Sequence, residues 1–143
     1  MTNSYNSDFY GWTREQADLL RSGKLAQLDT VNLLEEIESM GNSQRNELES
    51  RLEVLFLHLL KWKYQPSHRG RSWQLTVAEQ RRKIERRLAK SPSLKHDLDE
   101  MTRDAYGDAI LSAARETGMD VSVFPHENPW SFEQAMSSDF FPD

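Results

Sequence analysis

Residues 48 to 64, LESRLEVLFLHLLKWKY, constrain this chain more than any other stretch. Leu48, Leu52, Leu55, Leu59 and Trp62 recur at steps of four and three, the spacing of one helix face. Val54, Phe56, Leu57 and Leu60 fill the flanks, so only His58 interrupts the apolar run from Val54 to Leu60. A helix apolar nearly all round needs cover on every side. It therefore predicts an all-α fold in which the other helices pack around a central one over residues 43–64.

Helix signals on either side divide the rest. Thr13 with Gln16 reads as a capping box for a first helix ending at Gly23. Asp29 or Thr30 starts a second helix, with Leu33, Leu34 and Ile37 on one face and Gly41 as its end. Asn42 or Ser43 then caps the central helix, which Gln65-Pro66 stops, because proline has no amide proton and disfavours helix in the residue before it. A fourth helix is expected over about 73–90, and a fifth from Leu94 to Gly118 after the Ser91-Pro92-Ser93 break. Residues 1–7 are expected to be disordered. Residues 119–143 are expected to form an irregular tail wrapped on the bundle, with a short helix capped by Ser131 and Gln134. The echo between WTREQA at 12–17 and WSFEQA at 130–135 reads as two independent capping boxes, each behind a tryptophan. No strand pattern occurs. The expectation is a single helical domain over 1–143: an antiparallel bundle of about five main helices.

Cysteine is absent from the chain, which excludes disulfides, thiol nucleophiles and thiolate metal sites and suits a reducing cytoplasm. The start carries no signal-peptide pattern, and the central run is too short for a membrane span, which needs about 20 apolar residues. The net charge of −5 hides a partition: residues 61–95 hold 11 basic and 2 acidic side chains, whereas 96–143 hold 2 basic and 11 acidic. Such asymmetry marks a binding surface or segments that neutralise one another.

Three groups of residues carry candidate chemistry. The basic segment 61–90 interleaves its cations with Trp62, Tyr64 and Trp73, as nucleic-acid binding requires. Arg69, Arg71, Arg81 and Arg82 are its anion-binding candidates. Against this, Asp97, Glu100, Asp104 and Asp108 form one acidic stripe, and a hairpin about Pro92 would set it against the basic face of 81–90. Glu35, Glu36 and Glu38 lie before Gly41, and Glu47 and Glu49 after it, so carboxylates on facing helices could hold a hard divalent cation. Ion pairing with Arg45 and Arg51 is the plainer reading of these glutamates, and no metal ligand set is assigned. His58 reads as a buried neutral imidazole with one hydrogen bond. Glu36, Glu49 and His58 are the polar residues that an enzyme reading would use.

DFYGWTREQADLL at 8–20, NLLEEIESMG at 32–41, ELESRLEVLFLHLLKWKYQP at 47–66, SWQLTVAEQRRKI at 72–84, SPSL at 91–94 and the ending PWSFEQAMSSDFFPD resemble a bacterial family, domain-of-unknown-function family 29. The resemblance implies a compact helical domain in a small cytoplasmic protein. It carries over no activity and no catalytic residue. The sequence thus points to a small non-enzymatic interaction or regulatory module with a protein partner, no cofactor and no membrane segment. Nucleic-acid or other anion binding through 61–90 is the first alternative, and a metal-dependent enzyme with a carboxylate site near Glu35–Glu38 and Glu49 is the second. Homo-oligomerisation is left open.

Overall fold

The computed structural model describes residues 4–143, and it is all-α. Five α-helices, α1 (Phe9–Arg21), α2 (Thr30–Tyr64), α3 (Arg71–Lys90), α4 (Leu98–Thr117) and α5 (Phe132–Met136), are joined by short 3₁₀ turns. Where the sequence alone suggests one domain, the residues group into two compact units, one up to Gln44 and one from Arg45 to Asp143.

The first unit is built on aromatic packing and one aspartate. Of the segment expected to be disordered, residues 1–3 lie outside the described residues, while 4–7 form a turn closed by the Asp8 amide on the Ser4 carbonyl (2.7 Å). Tyr5 sits edge-on to Trp12, ring centroids 4.8 Å apart. The cap of α1 is Asp8, whose side chain accepts from the Gly11 amide; a Cβ on residue 11 would collide with that carboxylate. The predicted box at Thr13 is therefore wrong. Thr13 lies inside α1 and donates its hydroxyl to the Tyr10 carbonyl (2.7 Å), and Gln16 is buried and accepts from the Asp29 amide (2.8 Å). Asp29 accepts from the Trp12 indole (3.0 Å) and from Asn32 (2.8 Å), and these bonds hold its carboxyl below the usual range.

The largest departure from expectation is α2, one helix of 35 residues in place of two. Gly41 does not end it. A glycine inside a helix costs only about 1 kcal/mol, and strong helix sequence on both sides outweighs that.

In the second unit, α2 from Arg45 onward is the centre. Leu48, Leu52, Leu55, Phe56, Leu59 and Leu60 have no exposed surface. Helix α3 runs antiparallel to it, as Arg87–Glu47 (2.6 Å) and Arg51–Gln80 (3.4 Å) show. Helix α4 runs parallel to α2, with Arg45 on Asp97 (3.0 Å), Ser112 on Glu53 (3.0 Å) and Lys61 on Glu116 (2.8 Å). Ala105, Ala109 and Ala113, all fully buried, give α4 a small-residue face. A six-residue 3₁₀ segment, Pro92–Asp97, precedes α4, which ends at Gly118 with φ 75°, the left-handed position that favours glycine. The tail packs on this unit. Phe124, Trp130 and Ala135 are buried, Phe141 lies 4.5 Å from Trp62 between centroids, and the Ser131 hydroxyl accepts from the Gln134 amide as its capping box predicts.

Candidate functional site

Of the four predicted anion-binding arginines, the structure brings three together. Arg71, Arg81 and Arg82 line a cavity of about 550 Å³ between α3 and the tail, with Leu75, Met136 and Phe141. They do not share a role. Arg81 is 7% exposed and its guanidinium donates to the carbonyls of Ala135 (2.8 Å) and Phe140 (2.7 Å). A helix leaves its last carbonyls without intrahelical donors, and Arg81 supplies one at the end of α5. It is a clamp for the tail. Burial lowers its proton affinity. Arg69 lies elsewhere, donating to the Trp62 carbonyl (2.7 Å) and stacked 5.3 Å from that ring. Arg71 and Arg82 are exposed and, among the described residues, have no ion-pair partner.

The expected neutralisation of 81–90 by the acidic stripe does not occur. Asp97 and Glu100 both pair with Arg45 (3.0 and 3.4 Å), because the stripe turns toward α2 when α4 packs parallel to it. Asp104 and Asp108 stand near Glu49, whose carboxyl is raised first by burial and then by these two charges. The basic face of α3 keeps its charge. Among the described residues Arg71, Arg82, Arg86 and Lys90 of α3, and Lys63 of α2, form no ion pair.

The enzyme candidates fall in different units. Glu36 accepts the Tyr5 hydroxyl within the first unit, and that bond, ahead of burial, lifts the phenol to about 12. Glu49 belongs to the second unit. His58 places Nδ1 2.8 Å from the Val54 carbonyl and its ring edge-on to Trp73. Burial favours the neutral imidazole. Among the described residues no group of three or more histidine, aspartate or glutamate side chains is placed to hold a metal ion.

Two features escaped the sequence. A cavity of about 710 Å³ between α4 and the tail is lined by Thr102, Arg103, Asn128 and Trp130, and the Thr102 hydroxyl and Asn128 amide nitrogen are buried without a hydrogen-bond partner. A smaller cleft of about 110 Å³ gathers Glu47, Arg51, Lys83, Arg86, Arg87 and Lys90. The steps of three and four from Lys83 to Lys90 were visible; their opposition to Glu47 and Arg51 needed the helix register.

The first unit carries a surface of another kind. Among the described residues, eight of the twelve large apolar side chains that remain exposed lie in it, including Val31 at 76%, Leu34 and Ile37 at 58% and Met40 at 62%.

Comparison with known proteins bears on the whole chain. The family model described as "Domain of unknown function DUF29" matches residues 4–141. The chain belongs to the DUF29 family. Membership brings no established function with it. No curated protein and no solved structure matches the chain. Among the described residues no helix is long and apolar enough to cross a membrane.

Proposed function

We propose that this DUF29 protein is a non-enzymatic interaction module of the bacterial cytoplasm, and that its partner is a basic amphipathic helix received on the apolar face of the first unit. The carrying observation is the exposure of Leu34, Ile37 and Met40, at steps of three along α2. Soluble proteins rarely leave a contiguous apolar patch of this kind without a use for it. Charge favours the occupant. The residues up to Gln44 hold three basic and seven acidic side chains, so a basic helix is attracted and a second copy of the same acidic face is repelled. The cytoplasmic assignment rests on the absence of cysteine.

The test uses a synthetic helix with leucines on one face and lysines on the other, titrated against the full chain by fluorescence anisotropy. Saturable binding should weaken about tenfold, or about 1.4 kcal/mol, when Leu34 and Ile37 are both changed to serine. An otherwise identical glutamate helix should not bind. Equal binding of the two peptides would overturn the reading. So would a concentration-dependent dimer abolished by the same two substitutions, since that would make a second copy the occupant.

A second reading, anion binding through 61–90, is favoured by Lys63, Arg71, Arg82, Arg86 and Lys90, which form no ion pair among the described residues.

A further inference from the structure

We propose that the cleft formed by Glu47, Arg51, Lys83, Arg86, Arg87 and Lys90 binds a single phosphate dianion, free or as a monoester. The proposal is independent of the partner assigned to the first unit and narrows the anion-binding reading from a surface to one site.

Helix spacing assembles the cleft. Lys83, Arg86, Arg87 and Lys90 follow at three, four and seven residues along α3 and share a face. Glu47 and Arg51 are four apart on α2. The antiparallel register of the two helices sets these groups opposite one another, around a space of about 110 Å³. That is room for one tetrahedral oxyanion and not for a nucleobase.

Glu47 works as a positioning residue. Its two oxygens hold Arg51 Nε at 3.3 Å and Arg87 Nη2 at 2.6 Å, and Arg51 is braced further by Gln80 Oε1 at 3.4 Å. Burial pushes the Glu47 carboxyl up, and the two guanidiniums more than offset that, leaving it below its usual value. It therefore stays charged and keeps both guanidiniums oriented. The planar guanidinium of Arg51, fixed in this way, presents its remaining N–H groups in a geometry suited to phosphate oxygens.

The local charge does not balance without a ligand. Five cations face the Glu47 carboxylate, and Lys83 has a second acid in Glu79 (3.3 Å). Arg86 and Lys90 are exposed and, among the described residues, form no ion pair, so at least two positive charges remain. Of the stripe that could have cancelled them, Asp97 and Glu100 are committed to Arg45 and Asp104 and Asp108 stand near Glu49. Favourable interaction with the negative end of the α3 dipole accounts for Arg87 and Lys90 in the last turn. It does not account for Lys83 one turn earlier or for Arg51 on the other helix. A dianion removes most of the excess, whereas a monoanionic diester removes only part of it.

The experiment is isothermal titration of the full chain in chloride buffer with inorganic phosphate, phenyl phosphate and a DNA duplex. One-to-one saturable binding of either small phosphate is expected, and whichever binds tighter identifies a free or an esterified ligand. Arg86→Gln with Lys90→Gln should weaken it about tenfold while leaving the melting temperature in chloride unchanged. Lys63→Gln with Lys95→Gln removes the same net charge elsewhere and should leave affinity within about twofold. Equal loss in both double variants would overturn the proposal by showing a delocalised charge effect. Absence of saturable phosphate binding would also overturn it. Binding of the duplex alone, rising with its length, would overturn it in favour of a nucleic-acid surface.

Discussion

From Leu34 to Leu59 the apolar positions of α2 keep one helix face, stepping through Ile37, Gly41, Gln44, Leu48, Leu52 and Leu55. On the first part of that face Leu34 and Ile37 are each 58% exposed; on the second, Leu48, Leu52, Leu55 and Leu59 have no exposure at all. The change falls at Gly41–Gln44, where the apolar stripe lapses and the two units divide. The contrast teaches that an amphipathic pattern states which face needs cover and leaves open whether the chain supplies it. In the second unit α3, α4 and the tail provide cover from the same chain. In the first, α1 and Asp29 bury Trp12, Gln16 and Leu19 and leave Leu34, Ile37 and Met40 exposed.

The sharpest way to break the comparison is to truncate matching positions in the two halves. Leu55→Ala should cost about 2–5 kcal/mol in urea denaturation, and Ile37→Ala should stay within about 0.5 kcal/mol. Similar losses would show that Ile37 is covered after all. Next comes the clamp that keeps the second unit closed. Arg81→Ala removes two charge-assisted hydrogen bonds to buried carbonyls and should cost about 2–4 kcal/mol, with faster amide exchange across residues 132–141. Arg81→Lys should recover only part of this, because an ammonium cannot span both carbonyls as a planar fork does.

Smaller effects test the continuity of α2 and its acidic flank. A Cβ at Gly41 meets nothing within 4 Å, so Gly41→Ala should stabilise the protein by about 0.5–1 kcal/mol and raise helicity. A loss would mean that the helix bends there. Glu49 has its folded-state pKa raised above 4.5 by burial and by Asp104 and Asp108. The folded state then holds its proton more tightly than the unfolded state, so this contribution to stability is present below about 4.5 and is lost as pH rises through the raised value. Glu49→Gln should therefore melt higher than the parent at neutral pH, with the difference vanishing at acid pH. A gap that widens on acidification would refute the assignment.

The fold was legible where a local signal and a tertiary demand agreed. The Leu48–Leu59 stripe, the Gln65-Pro66 stop, Gly118 and the Ser131 cap all do in the structure what their chemistry suggests. The misreadings came from residues with two competing uses. Gly41 can end a helix or sit within one, and the flanking sequence decided for the second. Thr13 and Gln16 have the spacing of a capping box, yet Asp8, five residues before Thr13, had already started the helix, freeing Gln16 to bind Asp29. The candidate site was less legible. Arg81 looks like its neighbours in sequence, and only the return of the tail from residue 135 to 140 turned it from a ligand candidate into a clamp. The opposite happened to Arg51 and Glu47, which looked like a surface ion pair.

The sequence by itself determined that the chain is helical, where its most apolar helix lies and that its charges are segregated, because periodicity, caps and composition act over a few residues. Tertiary structure decided which charges meet. The parallel packing of α4 on α2 gave Asp97 and Glu100 to Arg45 and set Asp104 and Asp108 near Glu49, while Glu47 of α2 met Arg87 of α3, and that pairing depends on how whole helices pack around Leu52 and Leu55, which no short window of sequence records.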